Sequence, residues 1–438
     1  YILRHLGVEA FAVWVLATAI AGYLRLVEFG IGSAITRAVA RHAAEGDVDA
    51  VSRVLGSGLR AYGRLAALCI LLSLAVAPLG WAVWSPELLH LAPLVGLGVA
   101  LSMPTLVPVT GLTGLGRFDL ANAIGVIGMA LYAAAIVVVI EADLGLTALV
   151  VAEGAMSAVA SIPAILLLRR ALPGVRITPA LGDDATMREM LRYGRPLFGM
   201  AIAAQLHQQS DELIIGLVGA TREITPYALA RRVAEFPAAI GNAFGRIILP
   251  AAAGLGEDMG RLRELLVTST RVTVALLLSI TCPLLPLAHD FLAAWAGAAY
   301  VRDIEVAWIL LVATTIDMST WPCGSLLQAI SRHGVLAWQA LAGALLNVAL
   351  SVILYFPFGV TGVALATLVS AIIGSGFLLP WTARALDLPF RRLAQHAIGP
   401  ALLPAAPSIL VAWELTRAMR PGSLLEVALV GGCGTLTY

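Results

Sequence analysis

The amino-acid sequence predicts an all-α polytopic membrane protein built of two parallel, pseudo-symmetric helical lobes. Three observations carry this prediction. Runs of about 20 apolar residues recur from one end of the chain to the other, each long enough for a helix to cross the hydrocarbon core. Hydrophobic residues make up 60% of the chain and charged residues only 13%, where a soluble domain carries about 25% charged. The second half repeats the first at a nearly constant offset of 212 to 214 positions. The apolar runs are continuous rather than alternating, which argues against a β-barrel.

In chain order the spans are expected at about 10–28, 62–84, 90–113, 119–140, 145–168, 192–217, 224–249, 268–289, 304–328, 335–356, 359–382, 395–416 and 423–438, thirteen in all. Connections between them are short, and no soluble domain is inserted. The polar stretch 31–60 continues a helix along the membrane surface, and the stretch 169–192 joins the halves. The expected division is therefore an N-terminal lobe (1–170), a cytoplasmic linker (171–192), a C-terminal lobe (193–383) and two extra helices (384–438).

Arginine placement sets the orientation. With 31–60 on the cytoplasmic side, twenty arginines, Arg37, Arg41 and Arg192 among them, lie inside or at inner helix ends, against five outside. That is a strong positive-inside bias. All 28 basic residues are Arg, and the net charge of +1 gives no reason to expect nucleic acid as a partner. Cys69, Cys282, Cys323 and Cys433 stand isolated in apolar runs with no metal or redox spacing, as small core hydrophobes do. No cofactor or metal site is indicated.

The internal repeat rests on short matches in one register. "LG" at 6–7 corresponds to "VG" at 218–219. Trp14, Leu16 and Ala17 correspond to Tyr227, Leu229 and Ala230, Pro108 to Pro322, and "LGLT" at 144–147 to "FGVT" at 358–361. An even number of spans per repeat makes the lobes parallel. Subtracting the offset from the span at 192–217 places its partner before residue 1, so the chain is expected to lack a first helix of roughly 25–30 residues.

Ionisable groups cost a few kcal/mol or more each inside lipid, so they face a partner or a cavity. The candidates are Arg25 with Glu28, Glu153, the group His207, Asp211 and Glu212, the group Arg231, Arg232 and Glu235, then Asp317 and Glu414. The segment "AIAAQLHQQSDELIIGLVGA" (201–220) is the densest. Gln205, Gln208, Gln209 and Glu212 share one helix face, and His207 and Asp211 lie on the opposite side. Neither side can simply face lipid: one lines a cavity and the other packs on a neighbouring helix, or both serve interhelical hydrogen bonds. Arg25 and Glu28 sit near an inner helix end, where snorkelling to the interface is the alternative to function. Asp211 and Arg231 lie at similar depth on sequential antiparallel helices, roughly 15 Å from the outer end. Asp211 and Glu212 can therefore meet Arg231 or Arg232, and Glu235 can pair with Arg231 at i,i+4. Asp317 lies near the middle of its span, five residues before Pro322. Matched kinks are expected at Pro108 and Pro322.

The stretch "LGVEAFAVWVLATAIAGYLRLVEFGIGSAITRAVARHAAEGD" (6–47) resembles the start of bacterial polysaccharide flippases. "DELIIGLVG" (211–219), "YALARRVAEFP" (227–237) and "LPAAAGL" (249–255) resemble the opening of their second half. The family is the multidrug/oligosaccharidyl-lipid/polysaccharide exporter superfamily. The resemblance implies a MATE-like, V-shaped transporter of 14 helices in the bacterial cytoplasmic membrane. It also implies an undecaprenyl-diphosphate-linked oligosaccharide as substrate, moved from the inner to the outer leaflet, with a polysaccharide polymerase or glycosyltransferase as the protein partner to expect. On that reading Arg231 or Arg232 serves the diphosphate, and Arg25 is a further substrate-binding candidate. Gln205, Gln208 and Gln209 serve sugar hydroxyls, and Asp211, Glu212, Glu235 and Asp317 complete the site. A cation-coupled multidrug exporter of the same superfamily is the alternative, against which Arg231 and Arg232 argue weakly. A membrane glycosyltransferase or polymerase would need catalytic acids on a sizeable loop, and none is found.

Overall fold

The computed structural model describes residues 2–28, 30–79, 86–219, 221–255, 258–298, 301–330, 332 and 334–438. The side chains at 4, 27, 76–79, 86–88, 194–201, 203, 204, 207, 208, 221, 243, 246, 250 and 253 are outside the described set. Among the described residues every regular element is helical: α1 Ile2–Arg25, α2 Ile31–Ala44, α3 Val48–Leu79, α4 Pro86–Ser102, α5 Leu106–Gly114, α6 Phe118–Glu141, α7 Gly145–Ala171, α8 Asp184–Val218, α9 Ile224–Gly254, α10 Met259–Trp295, α11 Ile304–Met318, α12 Trp321–Ala329, α13 Gly334–Ala385, α14 Phe390–Leu393, α15 Gly399–Leu402, α16 Ala405–Met419 and α17 Leu424–Thr437. A π-helical turn, Ala394–Ile398, joins α14 to α15.

Nine helical stretches of the described residues are long and apolar enough to cross a membrane, and the chain is a multi-pass membrane protein. One of them, α13, has 52 residues. At 1.5 Å per residue it would run about 78 Å if straight, far beyond a hydrocarbon core of about 30 Å. It divides at Gly359, whose φ of 59° and ψ of −140° are not helical. Gly145 holds the corresponding place between α6 and α7, with φ 75°. Both turns need a left-handed backbone, which glycine adopts without a Cβ clash.

The chain forms two compact units, Tyr1–Gln205 and Leu206–Tyr438. The element order repeats between them. The pair α1 and α2 answers to α9, and α3 to α10. The broken pair α4/α5 answers to α11/α12, and α6 and α7 to the two legs of α13. Both α5 and α12 are nine residues long. The breaks do not centre on the two prolines expected to kink. The first lies at 103–105, around Pro104, and the second at 319–320. Pro108 and Pro322 instead fall in the first turns of α5 and α12, where a missing N–H leaves no helix hydrogen bond unmade.

The helix surfaces follow the lipid. Val126, Met129 and Val138 of α6 are 69%, 75% and 63% exposed, an apolar outer face that water would not support. The stretch 172–183 is clipped onto α3. Arg60 donates to the carbonyls of Pro179 (2.6 Å) and Ala180 (3.1 Å). The Ser52 and Ser57 hydroxyls accept from the N–H of Arg176 (3.0 Å) and Asp183 (2.9 Å). Asp183 then caps α8: its carboxylate accepts from the Thr186 N–H and hydroxyl, both at 2.7 Å.

Candidate functional site

The acidic end of the polar segment of α8, Asp211 and Glu212, is explained by what packs on it within the second unit. A 3-10 turn at Thr221–Glu223 reverses the chain between α8 and α9. The hairpin lays Asp211 and Glu212 beside Tyr227 and Arg231, four residues apart on one face of α9. Asp211 and Glu212 are only 3% and 7% exposed, and Tyr227 is wholly buried. Arg231 Nη1 lies 3.2 Å from Glu212 Oε2 and 3.8 Å from Asp211 Oδ2. The Tyr227 hydroxyl donates to Asp211 Oδ2 at 2.5 Å, and the Thr367 hydroxyl, from the second leg of α13, donates to the same oxygen at 3.1 Å. With its nitrogen toward Asp211, the Asn347 amide, from the first leg, donates to Oδ1 (3.3 Å) while its oxygen faces the Thr367 hydroxyl (3.1 Å). Asp211 is thus a buried carboxylate held by three neutral donors and a guanidinium, which is what a charge in a low-dielectric interior requires.

The other candidate residues are placed elsewhere. Arg232 follows Arg231 by about 100° around the helix and points away, so it is 59% exposed. Glu235 pairs with Arg232 at i,i+3, 2.8 Å, rather than completing the expected i,i+4 pair as its ion bridge. Gln205 and Gln209 are partly buried and hydrogen-bonded or otherwise engaged. The side chains of Gln208 and His207 lie outside the described residues. Asp317 stands in the last turn of α11, and its carbonyl accepts from the Thr320 N–H (3.1 Å) and hydroxyl (2.8 Å) where the helix breaks. In the first unit Arg25, at the end of α1, is ion-paired with Glu153 of α7. Glu28 accepts from the buried Tyr62 hydroxyl (2.7 Å) and from the N–H of Gly32 (3.3 Å), and so caps α2.

Tyr227, Asn347 and Thr367 were not among the sequence candidates. The available signal was a lone polar residue inside an apolar run, "ALLNVAL" and "ALATLVS", which marks an interhelical hydrogen bond or a site. Among the described residues no group of three His, Cys, Asp or Glu is placed to hold a metal ion.

The sequence profile described as polysaccharide biosynthesis protein matches residues 2–302, more than half of the chain. The chain belongs to the polysaccharide biosynthesis protein family. Solved structures agree on the fold. An inward-facing multidrug resistance MATE family transporter of the MOP superfamily aligns over 90% of this chain and 93% of its own, with TM-score 0.73 and 17% identity. The lipid II flippase MurJ, in an inward closed conformation, aligns over 98% and 95%, with TM-score 0.70 and 14% identity. A MOP superfamily transporter from Pyrococcus furiosus, described as having a binding pocket of reverse polarity, aligns over 87% and 93%, with TM-score 0.56 and 14% identity. A search of curated protein sequences finds no match. The family match agrees with the polysaccharide side of the resemblance drawn from 6–47 and 211–255, and this polysaccharide biosynthesis protein has the MATE/MurJ type of fold.

Proposed function

We propose that this protein is a flippase of the bacterial cytoplasmic membrane that moves an undecaprenyl-diphosphate-linked oligosaccharide from the inner to the outer leaflet by alternating access. The observation that carries the reading is family membership in polysaccharide biosynthesis on a chain in which nine helical stretches of the described residues are long and apolar enough to cross a membrane. An oligosaccharide cannot cross hydrocarbon without a polar path, and the buried Asp211–Glu212–Arg231 cluster is a polar group of the kind such a path needs. On this reading Arg231 offers its guanidinium to the diphosphate and exchanges it for Glu212 and Asp211. Arg25, Arg232, Glu235, Asp317 and the glutamines 205, 208 and 209 complete the substrate contacts. A polymerase or glycosyltransferase takes the product onward.

The test uses proteoliposomes holding a lipid-linked oligosaccharide with a fluorescent sugar. A membrane-impermeant reductant quenches only the outer leaflet, so a flippase carries quenching past half. Loss of that acceleration in Arg231→Gln, from a protein that still folds, supports the assignment. Wild-type protein that leaves the sugar lipid at the protein-free rate while moving a lipophilic cation refutes it and favours the multidrug exporter.

A further inference from the structure

We propose that the first unit carries a binding site for a phosphate group in the cavity between α2, α3 and the first turns of α8. The cavity is about 270 Å³ and is lined by Arg37, Arg41 and Arg192 with His42, Glu189 and Tyr193. Three guanidiniums share it with one carboxylate. Among the described residues neither Arg37 nor Arg192 forms an ion pair. Arg37 instead lies over the Tyr193 ring, its Cζ 4.7 Å from the ring centre. A guanidinium that meets a ring with its face keeps its edge N–H groups for an oxyanion.

Arg41 is the paired member. Its Nη1 is 3.6 Å from Glu189, with the two side chains 53% and 58% exposed. A pair that exposed is weak and gives way to a phosphate, which takes two parallel charge-assisted hydrogen bonds from one guanidinium. The orientation of Arg41 is set from behind. Its Nη2 lies 3.0 Å from His42 Nε2, and His42 Nδ1 lies 3.0 Å from Glu45 Oε2. Arginine can only donate, so Nε2 accepts, and Nδ1 carries the proton and donates to Glu45. Glu45, His42 and Arg41 form one chain that ends at the cavity.

The placement suits the ligand. α2 buries Ile31, Ala34, Ile35 and Val39, and the exposed Arg37 and Arg41 flank that face beside Ala34, which lines the cavity with them. The arginine distribution assigns this end of the helices to the inner membrane surface, where phosphates of lipid headgroups and of soluble cytoplasmic compounds both occur. A merely solvated basic fringe would satisfy the positive-inside rule with no concave site, no stacked arginine and no oriented one. The inference does not depend on the transport reading.

The experiment titrates the full chain in detergent by calorimetry with dioctanoyl phosphatidylglycerol, with inorganic pyrophosphate, and with dioctanoylglycerol as the phosphate-free control. The expected result is saturable binding of a phosphate probe and none of dioctanoylglycerol. The double substitution Arg37→Gln, Arg192→Gln should weaken that binding by about tenfold or more, and Arg37→Lys by less, because the charge remains. Binding of phosphatidylglycerol alone identifies a lipid headgroup as the source. Pyrophosphate alone identifies a soluble phosphate, and both show a site that reads the phosphate and not its carrier. The melting temperature of the double variant should match the wild type, since the replaced side chains are exposed. If it falls, Arg37→Gln alone decides by the same comparison. Absence of binding by both phosphate probes, or unchanged binding in a folded Arg37→Gln variant, overturns the proposal.

Discussion

Trp14, Thr18, Tyr132 and Glu153 in the first unit stand where the repeat puts Tyr227, Arg231, Asn347 and Thr367 in the second, 213 to 215 positions later. The first four line a cavity of about 20 Å³, space for about one water molecule. Of the second four, Tyr227, Thr367 and Asn347 hydrogen-bond Asp211, and Arg231 is ion-paired with it. The frame is shared and the electrostatic filling is not. In the first unit one acid meets one base, Glu153 and Arg25, with side chains 31% and 50% exposed. In the second, α8 brings two carboxylates to one guanidinium, all largely shielded. A helix repeat therefore decides where polar side chains converge, while each copy sets its own charge balance.

The largest effect that would sharpen this contrast is loss of the shared base. Arg231→Gln leaves two buried carboxylates without their shared guanidinium and is expected to cost about 3–5 kcal/mol, read as a lowered denaturation midpoint in detergent. Adding Glu212→Gln should return part of that loss, a coupling that a double-mutant cycle measures. Next comes Tyr227→Phe. It keeps the packing and removes one charge-assisted donor, so it should cost about 2 kcal/mol. In the first unit Arg25→Gln should cost under about 1 kcal/mol, because the pair is half exposed. If Arg25→Gln proved as damaging as Arg231→Gln, the contrast between the units would fail.

The smallest effect is at the solvated start of α8. The Thr186 N–H and hydroxyl hold the Asp183 carboxyl below the usual aspartate range. Its folded pKa is depressed, so its capping contribution is complete above the unfolded value of about 3.9 and is lost as pH falls through the folded one. Melting curves from about pH 7 to about pH 3 should show a shallower acid dependence for Asp183→Asn than for the wild type. An identical slope would remove Asp183 from the account.

Much of this was legible in the chain. Asp211 and Arg231 could be matched by counting residues from the α8–α9 turn, because a hairpin of regular helices converts sequence distance into depth. Glu153 could not be assigned a partner, since Arg25 is 128 positions away and no local pattern links them. Asn347 and Thr367 escaped for a similar reason. They reach Asp211 only because both legs of α13 return to α8.

The sequence by itself determined that the chain is helical, roughly where each helix runs, and that the halves repeat. In lipid the backbone must satisfy its own hydrogen bonds, so a long apolar run has helix as its form. Tertiary structure alone decided which helices share polar partners. A helix apolar on nearly every side carries little directional signal, so its neighbours are selected by close packing and by the few side chains that must find a hydrogen bond. Asp211 is surrounded by Tyr227, Asn347 and Thr367 because a carboxylate removed from water needs several donors at once. No stretch of α8 could supply them.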